Sequence, residues 1–138
     1  MYDEIIQVSP NDVHQSGWVR TPLPDGQHQY LLTGVLVPLL KGGAGDWRHV
    51  TLRAAIPIPD LAAGRQFVAS QWAPFVAIAA VAEELGDALA GWAVDGCALD
   101  APNAPQPALT LEVQAAVRDV SAFLLRVSYS IAVVGTYA

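Results

Sequence analysis

Charge is the scarcest ingredient of this chain. Only 14% of its 138 residues are Asp, Glu, Lys or Arg, against roughly a quarter in ordinary soluble domains. So few ionic side chains cannot cover a whole surface, and 53% of the residues are hydrophobic. Apolar surface is therefore expected to meet a partner, a ligand or a second copy.

Basic residues are scarcer still. Seven Lys and Arg stand against thirteen Asp and Glu, for a net charge of −6, and no two basic residues adjoin. Nucleic acid is excluded as a partner, because displacing counterions from phosphates needs a positive face. Electrostatic attachment to an anionic membrane surface fails for the same reason. A single cysteine, Cys97, leaves no internal disulfide and no paired-cysteine metal site, in keeping with a reducing compartment. His14, His28 and His49 are the only histidines, and their spacing matches neither HxH nor HExxH. No metal or cofactor is expected.

Long apolar runs are missing too. The longest, at 73–82, ends in Glu83 and Glu84 and falls well short of the about 18 residues a membrane span needs. The opening Met1-Tyr2-Asp3-Glu4 lacks the basic and apolar regions of a signal peptide. A soluble cytoplasmic protein is expected, or a virion component if the chain is phage-encoded.

What is present reads as one domain over 1–138. Residues 1–27 form an irregular segment with short strands around Ile5–Val8 and Trp18–Thr21, the latter held to a sheet edge by Pro22 and Pro24. Residues 30–40 are apolar on both faces, which implies cover on both sides. The Gly42-Gly43-Ala44-Gly45 loop leads into a strand rather than a helix, so it is read as a hairpin connection and not a phosphate cradle. From Trp47 to Ile58, Val50, Leu52, Ala54, Ile56 and Ile58 alternate with His49, Thr51 and Arg53.

A helix is predicted over 74–90. Asp60 is a candidate N-cap for the segment leading in, and Pro74 suits a first turn. Phe75, Ile78, Val81, Ala82, Leu85 and Leu89 follow helical spacing, Glu83, Glu84 and Asp87 form a solvated acidic group, and Gly91 is placed to close the helix. Beyond it lie a short strand at 92–99 and an exposed, proline-stiffened loop at 100–107. Two alternating strands, at 109–117 and 123–133, read as an antiparallel hairpin.

The fold expected is α+β: an antiparallel sheet of about five or six strands with one main amphipathic helix. One helix cannot cover two apolar sheet faces, so the sheet must curl into a barrel or meet a second copy. Function follows from that surplus. The leading reading is a non-catalytic assembly or interaction protein, self-associating or a subunit of a larger complex such as a phage or virus particle. Trp18, Trp47, Trp72 and Trp92 are its candidate interface residues. The competing reading is a small-molecule-binding or catalytic barrel-like domain with a pocket between helix and sheet, for which His49, Arg53 and Arg126 are the candidate catalytic residues. Cys97 has Asp95 and Asp100 for neighbours, which oppose a thiolate, and is read as structural.

Overall fold

The computed structural model describes residues 1–44, 46–84 and 89–138. Its elements are β1 (Glu4–Gln7), β2 (Val13–Pro22), β3 (His28–Leu36), β4 (Leu40–Lys41), β5 (Trp47–Pro57), β6 (Phe67–Glu83), β7 (Gly91–Leu99), β8 (Ala108–Arg118) and β9 (Ala122–Tyr137). Single 3-10 turns lie at Pro10–Asp12 and Pro24–Gly26. No α-helix occurs among the described residues, so the chain is mainly β and the α+β expectation is corrected.

The helix expected over 74–90 is instead the second half of β6, followed by a connection of which residues 85–88, including Leu85 and Asp87, lie outside the described residues. The misreading has a physical origin. β6 pairs antiparallel with β9, but its register slips between Ala69 and Gln71, between Ile78 and Ala80, and between Ala80 and Val81. The first two slips each insert a residue into β6 and stretch a spacing of two into three, and the third places its extra residue, Leu125, in β9. The core-side positions therefore run 67, 69, 72, 74, 76, 78, 81, which breaks the period-two signal. Alanine's high helix propensity strengthens the wrong reading, and strand pairing overrides it. Pro74 is tolerated because β6 is paired only through β9, so a missing N–H can face its open side. Gly91 opens β7 rather than closing a helix. Asp60 sits in a left-handed turn (φ 70°) ahead of β6, not at a helix N-terminus.

Two sheets pack face to face, rather than one sheet curled into a barrel. The β5 sheet runs β1-β5-β8-β7, with β1 parallel to β5 and the other pairs antiparallel. In the β9 sheet, β9 takes β3 and then β4 along one side and β6 along the other, and β2 lies outside β3. The expected hairpin of the last two strands is also corrected. β8 pairs with β5 and β7, whereas β9 pairs with β3, β4 and β6, so residues 119–121 carry the chain from one sheet to the other. The chain crosses between the sheets a second time from β4 to β5, because β4 pairs with β9 and β5 with β8.

Between the sheets lies the core that the alternating residues dictate. Val50, Leu52, Ala54 and Ile56 of β5 and Leu109, Leu111, Val113, Ala115 and Val117 of β8 meet Tyr30, Leu32 and Leu36 of β3 and Val127, Tyr129, Ile131 and Val133 of β9, all buried. Each large aliphatic side chain so buried contributes about 1.5–3 kcal/mol of transfer free energy. This filled layer occupies the place where a pocket between helix and sheet was expected.

The short parallel strand β1 is held by side chains as well as by its ladder. Arg48 Nε and Nη2 donate to the Glu4 carboxylate at 3.0 and 2.7 Å, and Thr51 Oγ1 donates to Tyr2 O at 3.0 Å. The Arg48 hydrogen bond holds the Glu4 carboxyl below its ordinary range. A depressed carboxylate pKa stabilises the fold above the unfolded value, about 4.3, and that contribution fades as pH falls through the folded value. Both groups are partly exposed, so the effect stays local. Acidification is expected to lower the protection of the Ile5–Gln7 amides relative to their intrinsic exchange rates while β8 stays protected, as hydrogen-exchange mass spectrometry would record.

Candidate functional site

The candidate catalytic residues do not converge. His49 and Arg53 lie on the exterior of the β5 sheet, in line with Ala116 and Glu112 of β8. His49 meets the Tyr2 ring edge-on, with centroids 5.2 Å apart. Arg53 Nη2 is 2.6 Å from Asp100 Oδ2. Arg126 belongs to the exterior of the β9 sheet, on the far side of the sandwich from both. A shallow hollow of about 270 Å³ near Arg53 is lined by Thr51, Gly96, Cys97, Ala98, Glu112 and Gln114. Cys97 Sγ there donates to Pro74 O at 3.5 Å. Burial, rather than the neighbouring aspartates, pushes its pKa up, so a nucleophilic thiolate is disfavoured. Glu83 ends β6 and Glu84 follows it, so the acidic group is not one face of a helix.

The four tryptophans also part company. Trp92 Nε1 donates to Phe123 O at 2.9 Å, which ties β7 of one sheet to β9 of the other. Trp47 lies against Gly91, where an added Cβ would stand 2.7 Å from its ring. Trp18 and Trp72 occupy opposite edges of the β9 sheet, on β2 and β6, and both are partly exposed.

The outer faces of the two sheets differ in kind. Antiparallel partners directly across from one another point to the same side. On the exterior of the β9 sheet this gives four rows across β2, β3, β9 and β6. One is Thr21, Gln29, Val134 and Gln71; the next is Val19, Leu31, Ala132 and Ala73. Then come Gly17, Thr33, Ser130 and Phe75, and last His14, Val35, Ser128 and Ala77. None of these positions holds Asp, Glu, Lys or Arg. The exterior of the β5 sheet, by contrast, carries Arg53 and Glu112 side by side.

The uncharged face has relief. Phe75 is 66% exposed, Val19 56% and Leu31 45%, so all three stand proud of it. Between them small side chains leave hollows. One of about 250 Å³ is bordered by Gln29, Gln71, Trp72, Ala73, Ala132 and Val134. Another of about 170 Å³ lies along Phe75, Ala77, Ser128 and Ser130.

No protein-family model, curated protein or solved structure matches this chain significantly. Among the described residues no helix is long and apolar enough to cross a membrane.

The residues of this face escaped the sequence reading because three of its strands were known only singly, and the fourth, β6, was taken for a helix. One signal was available. β3 holds no acid, lysine or arginine, β6 holds none before Glu83, β2 holds only Arg20, and β9 holds only Arg126.

Proposed function

We propose that this protein is a non-catalytic assembly protein that self-associates by packing the exterior of its β9 sheet against the same face of a second copy. The observation that carries this reading is the uninterrupted absence of charge across four strands, in a molecule whose other sheet exterior is charged.

Three arguments favour a second copy as the occupant. Each copy carries −6, so two copies repel least through a face that holds no acid. A two-fold contact needs one face to be complementary to itself, and this one offers both knobs (Val19, Leu31, Phe75) and hollows floored by alanine and serine. Its size is also adequate. Four strands about 4.8 Å apart and seven residues of about 3.3 Å give a plan area of about 440 Å² per copy. Side-chain relief raises the accessible area above the plan area, so a pair reaches the about 1,000 Å² that marks a specific contact.

Carbene footprinting at low and high protein concentration tests the placement. Labelling of Val19, Leu31 and Phe75 is expected to fall as concentration rises, while Ile5, exposed on the β5 sheet, is labelled equally throughout. Protection at Ile5 with none at Leu31 would move the contact to the other face and end this reading.

A further inference from the structure

We propose that the end of the sandwich where β2, β9 and the 58–66 loop meet is a binding site for an oxyanion group, a carboxylate or a phosphate. It lies at the opposite end of β9 from Arg126 and is separate from the assembly face.

A hollow of about 120 Å³ opens there, lined by Arg20, Asp60, Leu61, Ala62, Arg65 and Tyr137. Pockets that enclose whole small molecules run to about 300–1,000 Å³, so this one takes a terminal group and leaves the remainder of a ligand outside. Two guanidiniums border it. Arg20 Nη1 is 3.2 Å from Asp60 Oδ2 and donates to Tyr137 Oη at 3.5 Å. Arg65 lies over the Tyr137 ring, its Cζ 5.5 Å from the centroid, and has no ion-pair partner among the described residues.

Hydrogen-bond accounting adds a third donor. Tyr30 is fully buried, and its hydroxyl lies 2.6 Å from Tyr137 Oη, its one side-chain partner among the described residues. The buried Tyr30 O–H needs an acceptor and Tyr137 Oη is the side-chain oxygen within reach, so the satisfied arrangement has Tyr30 donating to Tyr137. That oxygen then accepts from both Tyr30 and Arg20, and its own proton is left to point into the hollow. His28 stacks on the Tyr137 ring, with centroids 4.5 Å apart, and Phe67 meets it edge-on, so the ring is held in place.

Two guanidiniums and a phenol O–H thus converge, opposed by the single carboxylate of Asp60. The lining is net positive in a molecule that is net −6. Planar guanidinium forks suit carboxylate and phosphate oxygens, which they bind in pairs of charge-assisted hydrogen bonds. Leu61 and Ala62 supply the apolar wall that excludes water on one side.

The test uses inorganic phosphate and, separately, acetate as probes, titrated into the full chain and followed by NMR at the Arg side-chain Nε–H groups and the Tyr137 ring. Saturable shifts at Arg20, Arg65 and Tyr137 are expected, with affinity weakened at least tenfold in Arg65→Ala and several-fold in Tyr137→Phe. Arg65→Ala removes an exposed side chain that touches the ring alone, so the fold should persist, which the unchanged core resonances would verify. Arg126→Ala should bind as the parent does. Saturation by one anion only supports the site and names its ligand as phosphate-bearing or carboxylate-bearing. Shifts that rise linearly without saturating, or equal losses in Arg65→Ala and Arg126→Ala, would overturn the proposal.

Discussion

Leu31→Asp is expected to weaken self-association at least a hundredfold while leaving the fold intact. Leu31 lies in the row Val19, Leu31, Ala132 and Ala73, on the interior strand β3 of the uncharged face. It is 45% exposed and points away from the core. An aspartate there is solvated in the free protein, so the monomer loses little. In the proposed pair it would be buried without a partner, and by symmetry twice. An unpaired charge removed from water costs several kcal/mol, and each 1.4 kcal/mol is a tenfold loss in affinity. Sedimentation velocity reads the change. Ile5→Asp is the control, placing the same charge at a similarly exposed apolar residue on the edge strand of the other sheet.

The largest effect on stability is expected at Gly135. It stands on β9 between His28 of β3 and Ala69 of β6, beside the first register slip of β6. A Cβ at this position would overlap the Val68 carbonyl oxygen and stand 2.8 Å from Phe67 Cζ. The obstacle is mostly backbone, which cannot swing aside as a flexible side chain would. Gly135→Ala must therefore push β6 from β9 or break the ladder there. Overpacking a close-packed site typically costs 1–3 kcal/mol, and a backbone clash belongs at about 3 kcal/mol. For a domain of this size that lowers Tm by about 10 °C. Gly96→Ala is the contrast, since its nearest neighbour would be Gln114 Oε1 at an ordinary 3.6 Å; thermal unfolding should hardly change. Equal Tm values for the two variants would show that β6 does not press on β9 as described.

The same strand explains what could be read from the sequence. β5 and β8 keep strict alternation and their core residues were legible one by one; β9 keeps it from Val127 to Val133, but its extra residue at Leu125 turns Leu124 to the core where Phe123 and Leu125 were read. β6 was not legible, because its bulges turn period two into a mixture of twos and threes and its alanines carry no β signal. Partnership between strands was also hidden. Local pattern shows which way a side chain points but not which sheet its strand joins, so β8 and β9 looked like a hairpin although three residues carry the chain between sheets.

One inference survived the change of fold class. Residues 30–40 and 121–134 are apolar on both faces, and that implied two-sided cover. A second sheet, rather than a helix, covers the inner face. The outer face, with Val19, Leu31 and Phe75 exposed, is the surface we propose a second copy covers. The catalytic candidates lie apart for a related reason. His49 and Arg53 share a strand exterior, but Arg126 was joined to them only by resemblance of pattern, and the sandwich sets it on the opposite side.

Sedimentation velocity of the unaltered protein over a wide concentration range tests the central claim most directly. A weight-average coefficient that climbs with concentration toward that of a dimer or larger assembly is the predicted result. A coefficient fixed at the monomer value up to the highest concentration reached would contradict it.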